Sequence, residues 1–347
     1  MMDPIRVKVV GAGGYGGVGI VELLLQHPHA EIVSLVAKDN AGTRMSELYP
    51  HLRGHCDQEI VAVDHPLAQE PVDIVFYSTP DRVGMTQARA ELASGARMID
   101  YSGDFRFDSE AAYADYATRL GKDPSHADAA LLDEAVYGLP ELDLESIGDH
   151  KLVGNPGCFA VSMLMGLAPA IKLGLIESKG IICDGKTAVS GAGKKPNAAF
   201  HYPARYDNMN AYRLTGHQHV CEVEHQLARL GGDDVTITLT TQVVPATRGI
   251  LTTCYGRLKE GVTRAAVEDA YRAFHDGHPF VRLYGRDAAI GTAQVRGSNY
   301  CDLMVDIDER NGLLRIVSHI DNLMKGQAGN ALQNMNILCG LPETTGL

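Results

Sequence analysis

The chain has 347 residues, of which 45% are hydrophobic and 21% charged, and its formal net charge is −12. That length exceeds the roughly 100–200 residues of one domain, so two domains are expected. The acidic balance excludes the clustered basic surface that binds nucleic acid, and no stretch approaches the roughly 18 apolar residues of a membrane span. The N-terminus lacks the order of a signal peptide and the seven cysteines form no C-x-x-C pair, so a reduced, cytoplasmic protein is expected.

The first part of the chain alternates predicted strands with predicted helices, a pattern that indicates a doubly wound parallel sheet. The helix after the first strand carries Val18, Val21, Leu24 and Leu25 on one predicted face. The predicted strands cover 6–10, 31–37, 72–77 and 97–100, and a further helix covers 83–93. This part is therefore predicted to be a Rossmann-type α/β domain.

The character of the sequence changes after about residue 158. Segments rich in β-branched residues, at 181–183, 235–241, 250–255 and 303–308, predict a mixed or antiparallel sheet with a few covering helices. Residues 321–338 are again helical in composition. The second domain is therefore predicted to belong to the α+β class.

A glycine-rich turn follows the first predicted strand and precedes the first helix. Its residues Gly11, Gly13, Gly14, Tyr15 and Gly16 satisfy the G-x-G-x-x-G pattern. In this context the glycines make the turn and let the backbone approach a pyrophosphate, which the helix N-terminus then binds. The alternative is a merely tight turn between strand and helix. The position of the motif favours dinucleotide binding by these five residues.

The end of the second predicted strand indicates which dinucleotide is bound. An acidic residue there usually contacts a free ribose 2′-hydroxyl. Here Lys38 follows the strand and Arg44 lies six residues further on, although Asp39 is adjacent. The two cations predict a 2′-phosphate and hence NADP as the cofactor.

One cysteine stands apart from the others. Cys158 follows Gly154-Asn-Pro-Gly and precedes an apolar segment that is predicted to be a helix as far as Pro169. The dipole and the free N–H groups of a helix N-terminus favour a thiolate, and the same groups can hold an oxyanion. We therefore predict Cys158 as the nucleophile. Strand-like or apolar surroundings indicate buried, unreactive thiols for Cys183, Cys254, Cys301 and Cys339.

Residues 215–225 form the densest polar cluster of the chain. One interpretation makes a histidine the general acid/base, with Glu222 orienting or tuning it. A second interpretation is a metal site, because Cys221 and His225 are spaced i, i+4 on a predicted helix. No second group with metal-like spacing is evident in the sequence. Surface or structural histidines are the third alternative.

Two further segments offer positive charge for an anionic substrate. A small-residue loop of residues 190–193 is followed by Lys194 and Lys195, and Arg106 lies in Ser102-Gly-Asp-Phe-Arg106. Either could hold phosphate, and a solvated basic loop is the alternative. The side chains predicted to contact the substrate are Asn155, Arg106, His219, Glu222 and Lys194.

Taken together, several motifs closely resemble the N-acetyl-γ-glutamyl-phosphate reductase family of the semialdehyde dehydrogenase superfamily. The resemblance spans nearly the whole chain. The motifs are the glycine turn at 11–17, Ser102–Arg106, Gly154–Cys158, Ser190–Gly193, His217-x-His219, Arg248-Gly-Ile250, and the tail from Asp321 to Asn336. As a set they are highly specific.

The resemblance implies roles for individual residues. Cys158 would be the nucleophile and His217 the acid/base, with His219 close to the substrate. Ser190, Gly191, Gly193 and Asn330 would lie by the nicotinamide of the cofactor. The C-terminal helix would return to the cofactor domain. The expected domains are thus a dinucleotide-binding domain of residues 1–157 completed by a helix at 320–347, and a catalytic and dimerisation domain of residues 158–319. A homo-oligomer, either a dimer or a tetramer, is expected.

The reaction implied by the resemblance is the NADPH-dependent reduction of N-acetyl-γ-glutamyl phosphate to its semialdehyde, a step of arginine biosynthesis. The Cys158 thiolate would form a thioester, and the imidazolium of His217 would protonate the oxyanion that hydride transfer leaves. Related substrates remain open: carrier-bound aminoadipyl phosphate, an N-succinyl analogue or aspartyl phosphate. A regulator that binds a nucleotide or a metal without turnover is an alternative of a different class.

Three departures from the family pattern bear on the acyl group and the cofactor. Gly13 and Gly16 replace the usual Ser and Thr of the turn, which removes two hydroxyls that could bind phosphate. Phe159-Ala-Val replaces the common Tyr-Pro-Thr after the nucleophile. Val220-Cys221 replaces Thr-Pro, which removes an N-cap hydroxyl before the second-domain helix.

Overall fold

The computed structural model describes residues 3–231 and 234–347. Its strands are β1 Ile5–Val10, β2 Ala30–Val36, β3 Ile60–Val61, β4 Ile74–Tyr77, β5 Arg97–Asp100, β6 Ala135–Tyr137, β7 Leu152–Gly154, β8 Ile181–Thr187, β9 Asn210–Tyr212, β10 Ile237–Val243, β11 Ile250–Arg257, β12 Val281–Tyr284, β13 Cys301–Asp308 and β14 Leu313–Ile320. Its α-helices are α1 Tyr15–Leu24, α2 Met45–Leu48, α3 Gly84–Ala93, α4 Glu110–Arg119, α5 Pro140–Gly148, α6 Cys158–Lys172, α7 Tyr202–Arg205, α8 Gln218–Gly231, α9 Arg264–Phe274 and α10 Gly329–Leu338.

The described residues divide into two compact units. The first comprises residues 3–114, 125–156 and 327–347, and the second comprises 115–124, 157–231 and 234–326. The sequence places the return of the chain to the first domain at residue 320, whereas the structure keeps residues up to 326 in the second unit. The segment 115–124 also belongs to the second unit, which no sequence pattern indicated.

The first unit contains a seven-stranded sheet in the order β3-β2-β1-β4-β5-β7-β6, and its strands are parallel throughout. The predicted doubly wound parallel sheet is confirmed. The strand order reverses beside β1, so the loops after β1 and β4 leave neighbouring strand ends. Val10 pairs with Tyr77, which places Gly11 beside Ser78 just past the strands. Helix α1 buries Val18, Val21 and Leu24 against this sheet, but Leu25 follows the last helical residue and is 39% exposed, so its predicted place on the same helical face is wrong.

The second unit contains a mixed seven-stranded sheet in the order β12-β13-β14-β11-β8-β10-β9. The pairs β8–β10 and β12–β13 are parallel, and the other pairs are antiparallel. The predicted mixed sheet is confirmed. Burial alternates along the central strands β8, β10 and β11, as expected for a sheet that packs on one face. On β8 the residues at 181, 183, 185 and 187 are buried under the helices, whereas Ile182 on the opposite face is 52% exposed.

The tail of the chain is only partly α-helical. Residues 321–323 precede a π-helical turn at Met324–Ala328, and α10 begins at Gly329. Helix α10 is amide-rich and almost wholly buried in the first unit. Between residues 3–231 and 234–347, no helix has the length and apolar character needed to cross a bilayer.

Candidate active site

Cys158 is the first residue of α6, in the second unit. The preceding Gly157 is extended (φ −74°, ψ 147°) and, as a glycine, has no side chain of its own to cap the helix. The dipole and the N–H groups of a helix N-terminus favour a negative charge at the position of this sulfur. Cys158 is half-buried, whereas Cys183, Cys254 and Cys301 are buried, as predicted; Cys339 is half-buried near the C-terminus of α10, so its predicted full burial is wrong. The position of Cys158 at the helix N-terminus is also as predicted.

A carboxylate from α8 holds the chain immediately before the nucleophile. The Oε1 atom of Glu222 accepts a hydrogen bond of 2.9 Å from the Gly157 N–H, and the Glu222 side chain is fully buried. A hydrogen bond to a carboxylate is stronger than one to a neutral acceptor, so this bond holds the Gly157 amide in position. The sequence predicted Glu222 as a substrate contact or a partner of histidine, and gave no sign of this bond to Gly157.

His217 and His219 lie at the start of α8 and pack against the residue that follows the nucleophile. The ring of Phe159 meets His217 edge-on at 5.6 Å and 90°, and its centroid lies 6.3 Å from that of His219. The two imidazole centroids are 5.0 Å apart. Gly216 has φ +72°, which lets the chain turn into the helix. The structure therefore brings both predicted histidines to the neighbourhood of Cys158.

The resting form of His217 is a neutral imidazole. Burial, with the neighbouring His219 next in importance, lowers the pKa of His217 to about 3. Its Nδ1 lies 3.3 Å from the His219 backbone N–H and accepts from it, so the ring proton belongs on Nε2. The imidazolium that the sequence reasoning uses as the proton donor is therefore not the resting form at neutral pH.

Two residues of this pocket were missed in the sequence. Tyr212, on β9, lies 6.0 Å from His217 between ring centroids, and its pKa is raised to about 12 by burial and then by the nearby Cys158. A Cβ on Gly326 would lie 2.9 Å from the Cβ of Cys158, so only glycine fits against the nucleophile. The repeated glycines in the segment 325–329 could have indicated Gly326 in the sequence. No sequence pattern indicated Tyr212.

The predicted loop at 190–193 also belongs to the second unit. Ser190 Oγ accepts a hydrogen bond of 3.0 Å from Asn322 Nδ2, and Asn322 Oδ1 in turn accepts one from the Gly249 N–H. Gly193 has φ +81°, which favours glycine at the end of the loop. Gly191 lies against Thr187, and Lys194 is exposed. The loop is thus fastened at Ser190 to the segment before the π-helical turn.

The glycine turn of the first unit fits the pyrophosphate of a dinucleotide. Gly11 has φ +84°, and a Cβ there would collide with the Ser78 carbonyl group. A Cβ on Gly17 would collide with the backbone of Gly11 and Ala12. Gly14 is the N-cap of α1 and no side chain bonds the first N–H groups of the helix, of which Tyr15 is the first residue. An anion can therefore approach this backbone closely.

The predicted cations Lys38 and Arg44 lie after β2 in the same unit, and both are exposed. Arg44 precedes α2 and its backbone bridges to Glu59. The Gly13 side of the turn is approached by Asn40, whose Oδ1 would lie 2.9 Å from a Cβ at residue 13. Tyr49 donates a hydrogen bond of 3.0 Å to the Gly13 carbonyl.

Arg106, Asn155 and Asn330 form one buried network in the first unit. Arg106 Nε donates to the Asn155 carbonyl at 2.9 Å, and Asn330 Nδ2 donates to Asn155 Oδ1 at 2.8 Å and to the Gly138 carbonyl at 2.6 Å. Asn155 Nδ2 donates to the Gln327 carbonyl at 3.2 Å. These bonds hold the chain three residues before Cys158.

The described part of the chain contains no cluster of side chains that supports a metal site at residues 215–225. Across residues 3–231 and 234–347, no three His, Cys, Asp or Glu side chains converge as metal ligands would. Cys221 is buried on α8, and burial raises its pKa to about 12. A thiol of that kind is a poor metal ligand, because thiolate is the binding form.

Comparison with known proteins decides the family. The semialdehyde dehydrogenase NAD-binding domain matches residues 6–150, and the semialdehyde dehydrogenase dimerisation domain matches residues 158–322. An N-acetyl-γ-glutamyl-phosphate reductase of Symbiobacterium thermophilum is 43% identical over 344 residues, covering 99% of this chain and 97% of its own. The chain belongs to the N-acetyl-γ-glutamyl-phosphate reductase family. A reductase of the same name from Geobacter sulfurreducens is 41% identical over 99% of this chain and 98% of its own.

Solved structures agree on the fold of this reductase family member. Aspartate semialdehyde dehydrogenase II of Vibrio cholerae has a TM-score of 0.73 at 16% identity, covering 98% of this chain and 99% of that one. The Candida albicans aspartate semialdehyde dehydrogenase, solved with NADP, has a TM-score of 0.67 at 14% identity, covering 97% and 99%. The chain therefore has the semialdehyde dehydrogenase fold with its NAD-binding domain, and is an oxidoreductase of that superfamily.

Proposed function

We propose that the chain reduces N-acetyl-γ-glutamyl phosphate with NADPH to N-acetylglutamate semialdehyde and phosphate. The names of its relatives support the substrate. The observation that carries the chemistry is the half-buried Cys158 at the N-terminus of α6, with Glu222 bonded to the preceding amide and two buried histidines packed on the next residue. A regulator without turnover has no need of a thiol in such a setting.

In the first step the Cys158 thiolate attacks the acyl carbon, and the bond to phosphate breaks to leave a thioester on Sγ. The N–H groups at the start of α6 can donate hydrogen bonds to the carbonyl oxygen as negative charge develops on it. Glu222 keeps Gly157, and with it the entry to the helix, in one conformation. Gly326 leaves room beside the nucleophile that any side chain would fill.

Bound NADPH supplies the hydride that reduces the thioester. Hydride transfer leaves a negative charge on the oxygen of the former thioester carbonyl, and His217 is assigned to stabilise this oxyanion. A neutral imidazole with its proton on Nε2 can donate that N–H to an oxyanion, as lowered histidine pKa values allow in other enzymes. Collapse of the oxyanion breaks the C–S bond, releases the aldehyde and returns the thiolate. His219 and Lys194 are assigned to the substrate.

The two units divide this work. Residues of the first unit, from Gly11 through Gly16 together with Asn330, are assigned to the dinucleotide, and Ser190, Gly191 and Gly193 of the second unit to its nicotinamide end. Arg106 and Asn155 are assigned to the substrate side, and their mutual hydrogen bond holds the strand end that leads to Cys158. The domain roles are therefore dinucleotide binding for the first unit and covalent catalysis for the second.

NADP is proposed as the preferred cofactor because Lys38 and Arg44 are exposed after β2 and can meet a 2′-phosphate. The test compares kcat/KM for NADP and NAD in the parent and in Lys38→Ala and Arg44→Ala. Loss of one cation should lower the preference for NADP about tenfold, as expected for a hydrogen bond to a charged group. Equal use of NAD by the parent would remove the assignment.

A homodimer through the open face of the mixed sheet is proposed as the minimal assembly. That face carries Ile182, 52% exposed, and the partly exposed Tyr255 directly opposite it on β11. Apolar side chains exposed together on a sheet indicate an interface, and the matched family domain is described as a dimerisation domain.

The reducing cytoplasm is proposed as the location of the protein, because its seven cysteines are free thiols.

The decisive experiment runs the reaction in reverse. Purified protein is given NADP, phosphate and one aldehyde at a time: N-acetylglutamate, N-succinylglutamate, free glutamate or aspartate semialdehyde. The N-acetyl aldehyde should show the highest kcat/KM, with NADPH formation that requires phosphate. A preference for another aldehyde, or turnover without phosphate, would contradict the proposal. Iodoacetamide at neutral pH should also label one thiol much faster than the rest, and a non-catalytic regulator would show no such thiol.

A further inference from the structure

The side of the glycine turn at Gly16 is filled by two side chains from distant segments. A Cβ on Gly16 would lie 2.8 Å from Gln327 Nε2, and it would come still closer to Ser78 Oγ. Ser78 directly follows β4, and Gln327 opens the C-terminal segment of the first unit. Both therefore belong to the same unit as the turn. Gly16 is glycine because these polar groups occupy the place of its side chain.

Neither polar group has a partner that explains its position. In the part of the chain that the structure describes, Gln327 uses only its backbone carbonyl, which accepts from Asn155, and its side-chain amide makes no hydrogen bond. The Ser78 hydroxyl likewise makes none, although its backbone N–H is bonded to the Val10 carbonyl at 2.9 Å. Both side chains are half-buried. Polar groups in such a place are normally satisfied by protein, water or ligand.

The chemistry of the neighbouring backbone indicates which ligand they suit. The first N–H groups of α1 have no side-chain cap, and the glycines at 11 and 17 let the turn pack closely on the backbone of Ser78, Gly11 and Ala12. Such a helix N-terminus binds the phosphates of a dinucleotide. An amide N–H₂ and a hydroxyl are both donors, and donors beside these N–H groups add to the binding of the same anion.

We propose that Ser78 and Gln327 donate hydrogen bonds to the pyrophosphate of the bound dinucleotide, in place of the hydroxyl that the family usually carries at position 16. The inference rests on the proposed function, since it requires NADPH to bind at this turn. It assigns two residues, from the β4 loop and the C-terminal segment, that no motif of the turn contains. It also couples the glycine to the donors, because a larger residue 16 and these side chains exclude each other.

The coupling makes the test specific. Ser78→Ala and Gln327→Ala each remove a donor, Gly16→Thr alone collides with both, and the triple variant Gly16→Thr/Ser78→Ala/Gln327→Ala places a hydroxyl in cleared space. The dissociation constant of NADPH is measured by fluorescence titration of the purified full chain, with the melting temperature of each variant without cofactor recorded beside it. Gln87→Ala, on α3 of the same unit, is the matched control.

Each single donor variant should raise the NADPH dissociation constant about tenfold with an unchanged melting temperature, since a hydrogen bond to a charged group is lost. Gly16→Thr should raise it at least as much, the triple variant should bind within about threefold of the parent, and Gln87→Ala should bind as the parent does. If Gln327→Ala does not fold, Gln327→Glu keeps the shape and must weaken binding by repelling the phosphates.

Two results would overturn the inference in distinguishable ways. A parent that binds NADPH while Ser78→Ala and Gln327→Ala bind equally well would remove the inference and leave the proposed function in place. A parent that does not bind NADPH at all would remove both. A triple variant that binds no better than Gly16→Thr would show that the two side chains do not stand in for the missing hydroxyl, and would also remove the inference.

Discussion

The glycine turn and the nucleophile pocket are built on different physical requirements. The turn is one continuous segment, and its fit is steric: Gly11 and Gly17 let backbone segments pack closely where a Cβ would collide, and N–H groups without a side-chain cap provide the positive end of a dipole. The pocket collects residues from separate segments around Cys158 and buries their charge, including a fully buried carboxylate. Cofactor binding at the turn is therefore expected to be most sensitive to added atoms, and catalysis in the pocket to the loss of a functional group.

The largest effect is expected at the nucleophile. Cys158→Ala removes the thiol that is proposed to form the thioester, so turnover should fall by more than about a thousandfold, equivalent to roughly 4 kcal/mol of transition-state stabilisation. NADPH binding should be unchanged, because the turn lies in the other unit. The half-buried Cys339→Ala is the matched control. Activity above that level in Cys158→Ala would exclude Cys158 as the nucleophile.

The next largest effect should distinguish the two histidines by their kinetic phenotypes. His217→Asn removes the Nε2–H donor and should lower kcat by about 10²–10⁴, whereas His219→Asn should mainly raise KM. Because the pKa of His217 is lowered to about 3, its protonation should add no acidic limb to kcat/KM between pH 5 and 8. Exchanged phenotypes would make His219 the catalytic group. An acidic limb in the parent that disappears in His217→Asn would contradict the neutral resting form.

A steric lesion in the turn should have an intermediate effect. Gly11 and Gly42 have nearly the same φ, +84° and +83°, but a Cβ on Gly11 meets the Ser78 carbonyl and a Cβ on Gly42 meets nothing within 4 Å. Alanine at either position carries the strain of a positive φ, about 1 kcal/mol. Only Gly11→Ala should also weaken NADPH binding, by at least about tenfold, as measured by titration. Equal affinities in the two variants would show that the backbone contact is not needed.

Local sequence patterns were enough to predict part of the fold and of the candidate site. The turn, the parallel sheet and the helix start at Cys158 are local patterns, since glycine spacing and apolar runs act over a few neighbouring residues. The roles of Cys158, His217 and His219 rest on motif resemblance, and the structure brings these residues to one region. The sequence placed Leu25 in the buried face because its spacing fits a helix that in fact ends at Leu24.

Contacts between distant segments had no such signal. The bond between Glu222 and Gly157 joins positions 65 residues apart, and the approach of Gln327 to Gly16 spans most of the chain. The lowered pKa of His217 comes mainly from burial, which depends on how α8 packs and not on its own sequence. The π-helical turn before α10 likewise reads as ordinary helix in composition.

The last prediction concerns stability and not catalysis, at a carboxyl group buried in the first unit. Asp100, at the end of β5, is fully buried, and burial with the neighbouring Asp104 raises its pKa to about 8. The folded protein then holds a proton that the unfolded chain releases near pH 3.8, so this contribution is complete below that pH and is lost as the pH rises through 8. The free energy of unfolding should therefore fall between pH 5.5 and 7.5.

Asp100→Asn isolates that contribution. Asparagine keeps an Oδ1 acceptor for the Ser102 N–H and cannot ionise, so the variant should lose about 2–3 kcal/mol of the pH dependence seen in the parent over that interval. Urea unfolding at the two pH values measures it, with the exposed Asp133→Asn as the control. Parallel stability curves for Asp100→Asn and the parent would mean that Asp100 is ionised in the folded state. The end of β5 would then hold a buried negative charge, and burial alone would not be enough to keep this carboxyl group protonated.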